Sequence, residues 1–236
     1  MCKWCARAYQ DRKHLLHEML DRRIQTPADL IQEMEAHENF RQLGGFPSMT
    51  EINFVSGDFK KTELFTQAEY LIEFIQRVRK LGFRGEWYYA GHQAFKKDDI
   101  VKLKKAIGDG TMCYTLEHLT RRGELMPVKG LVPLDDVTRT LIHTSKIMGK
   151  KRTQYYLIAG LDPFPDVEDW VTRHTRIAIP QIHVFTPYAP SHYRLAHGER
   201  SVQMETALKV RSSILRTYGR AIHSGSNRSL FSVDET

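Results

Sequence analysis

The sequence predicts an α/β protein whose strands run parallel. Three observations predict it. Strand-like and helix-like stretches alternate along the 236 residues, the strand candidates are separated by helices of ten or more residues, and the composition is globular, 41% hydrophobic and 27% charged. Long connections of this kind make right-handed crossovers between parallel strands. A chain of this length buries roughly 70–75% of its unfolded surface, enough for one large domain or two small ones.

The elements follow in order. Thr26-Pro27-Ala28-Asp29 reads as a helix start, with Thr as N-cap, Pro at the first position and an acid three residues on; Leu30, Ile31, Met34 and Phe40 continue at near-helical spacing. Glu51–Gly57 has strand composition. Thr66-Gln67-Ala68-Glu69 is a second capping box, opening a helix through Leu71, Phe74, Ile75 and Val78 to a stop at Gly82. Gly85–Ala90 is an aromatic strand, Lys97–Ile107 a basic helix and Thr111–Glu117 a third strand. A helix from Pro133 to Met148 stops at Gly149. Gln154–Gly160 is a fourth strand, Asp166–Thr175 a short helix, Gln181–Phe185 a fifth strand and Glu199–Tyr218 a last helix. Residues 1–223 form the folded domain, and the Ser/Asn-rich stretch 224–236 is expected to be a flexible tail. These elements fit an open doubly wound sheet or an incomplete barrel. No GxGxxG follows the first strand, which lowers the dinucleotide-fold reading.

Bulk properties narrow the function classes. No apolar run approaches the ~18 residues of a membrane span, and the first residues lack the apolar core of a signal peptide. Three cysteines argue against a disulfide framework and for a reducing cytoplasm. The net charge of +7 attracts anions mildly, but Lys96-Lys97, Lys104-Lys105, Arg121-Arg122 and Lys150-Lys151-Arg152 are dispersed. Dispersion of that kind reads as solvated faces, so a nucleic-acid partner is not expected; the weaker reading as a nucleic-acid module would show as binding that collapses in modest salt.

Ligands of parallel α/β proteins sit at the carboxyl ends of the strands. Those ends carry Ser56-Gly57-Asp58, Gly91-His92-Gln93, Glu117-His118, Gly160-Leu161-Asp162 and His183–Tyr188. Small residues, carboxylates and aromatic surface suit a ligand with an ammonium or ribose to hydrogen-bond and a flat ring to stack. At the start of the chain, Cys2-Lys3-Trp4-Cys5 has the spacing of a cluster loop, a zinc site or a redox dithiol.

Together these segments resemble the radical S-adenosylmethionine enzymes over most of the chain. Cys2-Lys3-Trp4-Cys5 is similar to the second half of their CxxxCxφC cluster motif (φ, aromatic). Ser56-Gly57-Asp58 stands where the family has Gly-Gly-Glu, Tyr156–Leu161 resembles its GxIxG segment, and Ile182–Phe185 resembles its sixth-strand adenine stretch. The resemblance implies a partial (β/α)6 barrel of parallel strands whose first strand, with the first cluster cysteine, lies outside this chain. A fragment, a misplaced start or a degenerate remnant would each account for that. It further implies a 4Fe–4S cluster ligated by Cys2 and Cys5, and S-adenosylmethionine cleaved to a 5′-deoxyadenosyl radical that abstracts hydrogen from a substrate. Asp58, beside Gly57 and Ser56, would meet the cofactor's amino group, although Asp is shorter than the family's Glu. Glu117 would contact the ribose, Arg121 the carboxylate, and Ile158, Gly160, His183 and Phe185 the adenine. A small-molecule or peptide substrate and an electron donor such as a flavodoxin or ferredoxin would be the partners. The alternative is a cluster-free relic barrel that binds a nucleotide without catalysis.

Simpler roles stand beside these. Cys113 alternates with Thr115 and Glu117, so all three are expected on one face; Cys113 is a third ligand or an inert buried thiol. His183 is a packed histidine or a cofactor neighbour. Arg121 and Arg122 grip an anion or lie in a solvated loop. Of Trp87, Tyr88 and Tyr89, alternate rings face opposite ways.

Overall fold

A computed structural model describes residues 26–55, 66–127 and 129–185, together with residues 205, 208, 209 and 212. It forms a five-stranded, wholly parallel sheet of order β1-β2-β3-β4-β5. The strands are β1 (Glu51–Val55), β2 (Glu86–Gly91), β3 (Thr111–Glu117), β4 (Thr153–Ala159) and β5 (Ile179–Val184). The helices are α1 (Pro27–Ala36), α2 (Glu38–Gln42), α3 (Gly45–Ser48), α4 (Gln67–Lys80), α5 (Lys97–Ile107), α6 (Arg122–Leu125), α7 (Leu134–Met148) and α8 (Phe164–His174). None of the described helices is long and apolar enough to cross a membrane.

Local chemistry sets the helix starts. The Thr26 hydroxyl accepts from the Asp29 N–H at 3.2 Å while Asp29 accepts from the Thr26 N–H at 3.0 Å. Thr66 and Glu69 repeat the exchange at 3.3 and 2.8 Å. Each box satisfies N–H groups that a helix leaves without partners. The expected first helix is two: His37 turns extended (ψ 122°), so Phe40 falls in α2. β5 begins two residues earlier than Gln181 and includes Pro180, tolerated because β5 pairs only with β4 among the described residues. The four described residues of the expected last helix are helical.

An unreversed strand order has no topological switch point, and the packing agrees with that. Phe54 meets Phe74 of α4 edge to face at 5.1 Å, and Trp87 Nε1 donates to the Ile107 carbonyl of α5 at 3.3 Å. Tyr155 lies 6.5 Å from Trp170 of α8, and α7 packs on β3 and β4. The crossover helices therefore cover one face, where Ile52, Trp87, Tyr89, Met112, Tyr114, Leu116, Tyr155, Leu157 and Ile182 form the core. A doubly wound sheet would carry helices on both faces. The other face is polar in its middle rows: Asn53, Tyr88 and Thr111, then Cys113 and Gln154, then Thr115, Tyr156 and Gln181, with Ile158 and His183 nearest the carboxyl ends. Strand alternation puts the three aromatic neighbours where expected, Trp87 and Tyr89 in the core and Tyr88 on the polar face.

Two predictions follow from the core. A Cβ at Gly110 would overlap the indole of Trp87, which is 1% exposed. Gly110→Ala should cost about 2–3 kcal/mol in urea unfolding. His174 is 3% exposed, with Nδ1 2.8 Å from the Trp170 carbonyl and Nε2 3.0 Å from the Thr138 hydroxyl. Burial lowers its pKa below the ordinary 6.5. The folded state holds the ring neutral, so this stability is complete above that value and is lost as pH falls through the folded pKa. Melting at about pH 5 should come a few degrees below melting at about pH 7.5, and His174→Gln should flatten that difference.

Candidate functional site

The carboxyl ends of β3 and β4 are joined through one buried carboxylate. Asp162 Oδ2 lies 2.7 Å from His118 Nδ1, with both side chains fully buried. The same carboxylate accepts from the Leu119 N–H at 2.8 Å, the Thr120 N–H at 2.9 Å and the Thr120 hydroxyl at 2.8 Å. Burial pushes the Asp162 pKa up, but the His118 ring and the Thr120 and Leu119 amides outweigh it and hold it below the ordinary 3.8. His118 Nε2 accepts from the Arg121 N–H at 3.0 Å, so the ring's proton sits on Nδ1, facing the carboxylate. Both ring nitrogens are thereby engaged, and the pair fastens one strand end to the next.

Arg122 completes the fastening. Its guanidinium donates to the carbonyls of Leu116 (2.8 Å), His118 (2.9 Å), Lys129 (3.1 Å) and Val132 (3.4 Å). A planar fork with several donors suits four carbonyls converging from a loop. Of the two arginines weighed for anion binding, this one is buried and committed to backbone. Arg121 is exposed and pairs with Glu124 through Nε at 2.8 Å and Nη2 at 2.5 Å.

Glu117 departs from the expected alternation. The register shifts between Thr115 and Glu117, so Thr115 pairs with Tyr156 while Glu117 pairs with Leu157, a core-face residue. Glu117 also takes φ 61°, the one described non-glycine residue with positive φ. The left-handed region is strained for a residue with a Cβ. Its carboxylate accepts from Lys129 Nζ at 2.5 Å, both groups mostly shielded from solvent. Cys113 and Thr115 keep the common face; Glu117 does not, because the bulge inserts a residue. The thiol of Cys113 is 1% exposed, and burial pushes its pKa up to about 12 against the opposing hydrogen bond with Tyr88. It stands there as a packed, protonated thiol.

The residues proposed for adenine come together. Ile158 and Phe185 join Leu125, Met126 and Leu161 in a small apolar cluster separate from the main core, with Tyr156 against it. The His183 ring stacks on Tyr156 with centroids 4.2 Å apart and planes 29° apart. Gly160 leaves β4 at φ 100°, a conformation that favours glycine. The Phe185 N–H donates to the Ala159 carbonyl at 2.9 Å and so carries the β4–β5 pairing beyond the strands.

Cys2, Cys5, Ser56, Gly57 and Asp58 lie outside the described residues. Among the described residues, no group of three His, Cys, Asp or Glu side chains is placed to hold a metal ion. The sequence reading noted His118 and Asp162 as strand-end residues but did not pair them. Lys129 gave no signal, since its partner is fixed only by the loop that Arg122 holds.

Asp162→Ala would strip four donors of their acceptor at once. It should destabilise the fold by about 3 kcal/mol in urea unfolding, more than His118→Ala, which removes two contacts but leaves the carboxylate its Leu119 and Thr120 donors.

No protein-family model matches the chain, and no curated protein matches it.

Proposed function

We propose that this chain is the core of a radical S-adenosylmethionine enzyme: a partial (β/α)6 barrel, with the cofactor across its strand ends and the substrate against its polar face. One observation carries the reading. The segments that resemble the family's cofactor-binding stretches stand at neighbouring carboxyl ends, with Glu117 in register with Leu157 and Ile158 with His183. The one-sided winding supports the barrel, because strands added in one direction with helices on one face curve toward closure.

The residues present fit an adenosyl group. Ile158 and Phe185 supply apolar wall, the His183–Tyr156 stack supplies a flat edge, and Gly160 lets backbone approach closely. Glu117 would accept from the ribose hydroxyls, held in place by Lys129. Asp58 would accept from the ammonium, and Cys2 and Cys5 would supply two thiolates, with the third protein ligand coming from outside these residues. When bound, the cluster and cofactor would supply the electron and the hydrogen-abstracting radical. The chain's own part would be to orient the cofactor at the β3–β5 ends and to shield it with the Leu125, Met126 and Leu161 cluster. A cytoplasmic setting with a flavodoxin- or ferredoxin-type donor goes with this chemistry.

The test is anaerobic reconstitution with iron and sulfide, run on this chain and on a version extended upstream in its own reading frame. The chain as written should hold no stable cluster. The extended chain should turn brown and release 5′-deoxyadenosine from S-adenosylmethionine on reduction. Cofactor binding without any cluster in either form would favour the relic nucleotide-binding barrel. No binding and no cluster in either form would overturn both readings.

A further inference from the structure

We infer that the pole formed by the amino ends of the strands docks a nucleic acid, gripping its phosphate backbone without reading its bases. This pole lies opposite the strand ends of the proposed cofactor site, so the surface stands or falls independently of the enzyme reading. Parallel winding sorts the charge. Each crossover leaves the carboxyl end of one strand and must return to the amino end of the next. The last turns of α4, α5, α7 and α8 therefore all finish at one pole, and basic runs that are dispersed in sequence are gathered there.

α4 closes on Arg77, Arg79 and Lys80 and is followed by Arg84. α5 closes on Lys104 and Lys105, and α7 on Lys146 ahead of Lys150, Lys151 and Arg152. α8 adds Arg173 and, past its end, Arg176. Residues 76–86, 103–111, 144–153 and 171–179 thus hold twelve Lys and Arg against two acids, Glu86 and Asp109. Arg152 and Lys104 already pair with those two. At the other pole, residues 66–70, 91–99, 117–127, 129–136 and 159–169 reverse the balance, with eleven acids against five Lys and Arg. Residues 26–55, 66–127 and 129–185 together are nearly even, 20 Lys and Arg to 19 Asp and Glu, so the polarity comes from placement and not from composition.

A cation in the last turn of a helix complements the helix dipole, which accounts for Lys105 or Lys146. It does not account for Arg84, Lys150, Lys151, Arg152 or Arg176, which stand beyond the α-helix ends. Lys80, Lys105, Lys146, Lys151 and Arg176 are exposed, and no acid among the described residues pairs with them. Like charges held together repel, and a bound polyanion relieves that repulsion. The shape favours a chain of phosphates over an acidic protein. The cations come from four successive connections, so they follow the edge of the sheet for about 19 Å at the usual strand spacing. A protein partner would need an apolar centre, and in these connections Leu81 is the one large apolar side chain that is exposed. The rings there, Phe83 and His174, are buried, so bases find no stacking platform and the contact falls on the phosphates.

Fluorescence anisotropy of a labelled oligothymidylate of about 20 nucleotides, titrated with the 236-residue chain, tests this. Binding should be micromolar at about 0.1 M salt and fall steeply as salt rises. Lys80→Glu, Lys105→Glu and Lys151→Glu combined should weaken it at least about tenfold and reduce the slope of log affinity against log salt by about 2. The matching Gln triple should fall between that variant and the parent, and it carries the test should the Glu triple fail to melt cooperatively. Lys96→Glu, Lys97→Glu and Arg139→Glu combined remove the same charge outside this pole and should weaken binding by no more than about twofold. No binding by the parent, or equal weakening by the two Glu triples, would overturn the proposal. Displacement by polyglutamate of matched charge as readily as by unlabelled oligonucleotide would also overturn it, in favour of an acidic protein.

Discussion

A carboxylate shut away from water must be given donors, and Asp162 obtains all of its own from residues 118–120, just past the end of β3. Much of the strand-end architecture depends on that requirement. The loop leaving β3 cannot swing away from β4 without stripping the charge of its partners. The His118 ring, held on its other side by the Arg121 amide, transmits the constraint into the turn, and Arg122 carries it on to the carbonyls of Lys129 and Val132. Lys129 is thereby delivered to Glu117. A chain of polar contacts from β4 through the β3 loop thus positions the side chain proposed to meet a ribose.

Two environments lie on the two sides of one sheet. On the covered side, large rings are packed to closure: Trp87, Tyr89, Tyr114 and Tyr155 are all nearly inaccessible. On the other side, alternate positions of β2, β3, β4 and β5 carry Tyr88, Thr115, Gln154 and Gln181. The alternation of strand side chains lets adjacent residues serve different ends, so the packing of the core and the chemistry of the polar face can vary almost independently. The small apolar cluster around Ile158 and Phe185 breaks this division at the strand ends, where ligands of parallel sheets bind.

The fold was legible because its signals are local. Capping boxes at Thr26 and Thr66, glycine stops at Gly82 and Gly149, and runs such as Gln154–Gly160 depend on neighbours a few residues away. Strand order was not local, and composition alone left the doubly wound sheet and the barrel segment equally open. The site divides the same way. Ile158, Gly160, His183 and Phe185 were chosen by resemblance to a family's strand segments, and what the sequence shows of them is only that they lie at or just past the ends of β4 and β5. The His118–Asp162 pair spans 44 positions and exists only because β3 and β4 are neighbours. The bulge at Glu117 was hidden for another reason: Thr111–Glu117 alternates smoothly on paper, and only the β4 register shows the extra residue.

That bulge has a consequence for how the sequence can drift. Glu117 holds a backbone conformation that disfavours any side chain, at a cost of about 1–2 kcal/mol, and its attraction to Lys129 is the visible compensation. The two positions are therefore yoked. A descendant that exchanged Lys129 for an uncharged residue would keep the strain without its reward, and glycine or asparagine at 117 would become the relaxed choice. Relatives should divide into those retaining both ionic partners and those retaining neither.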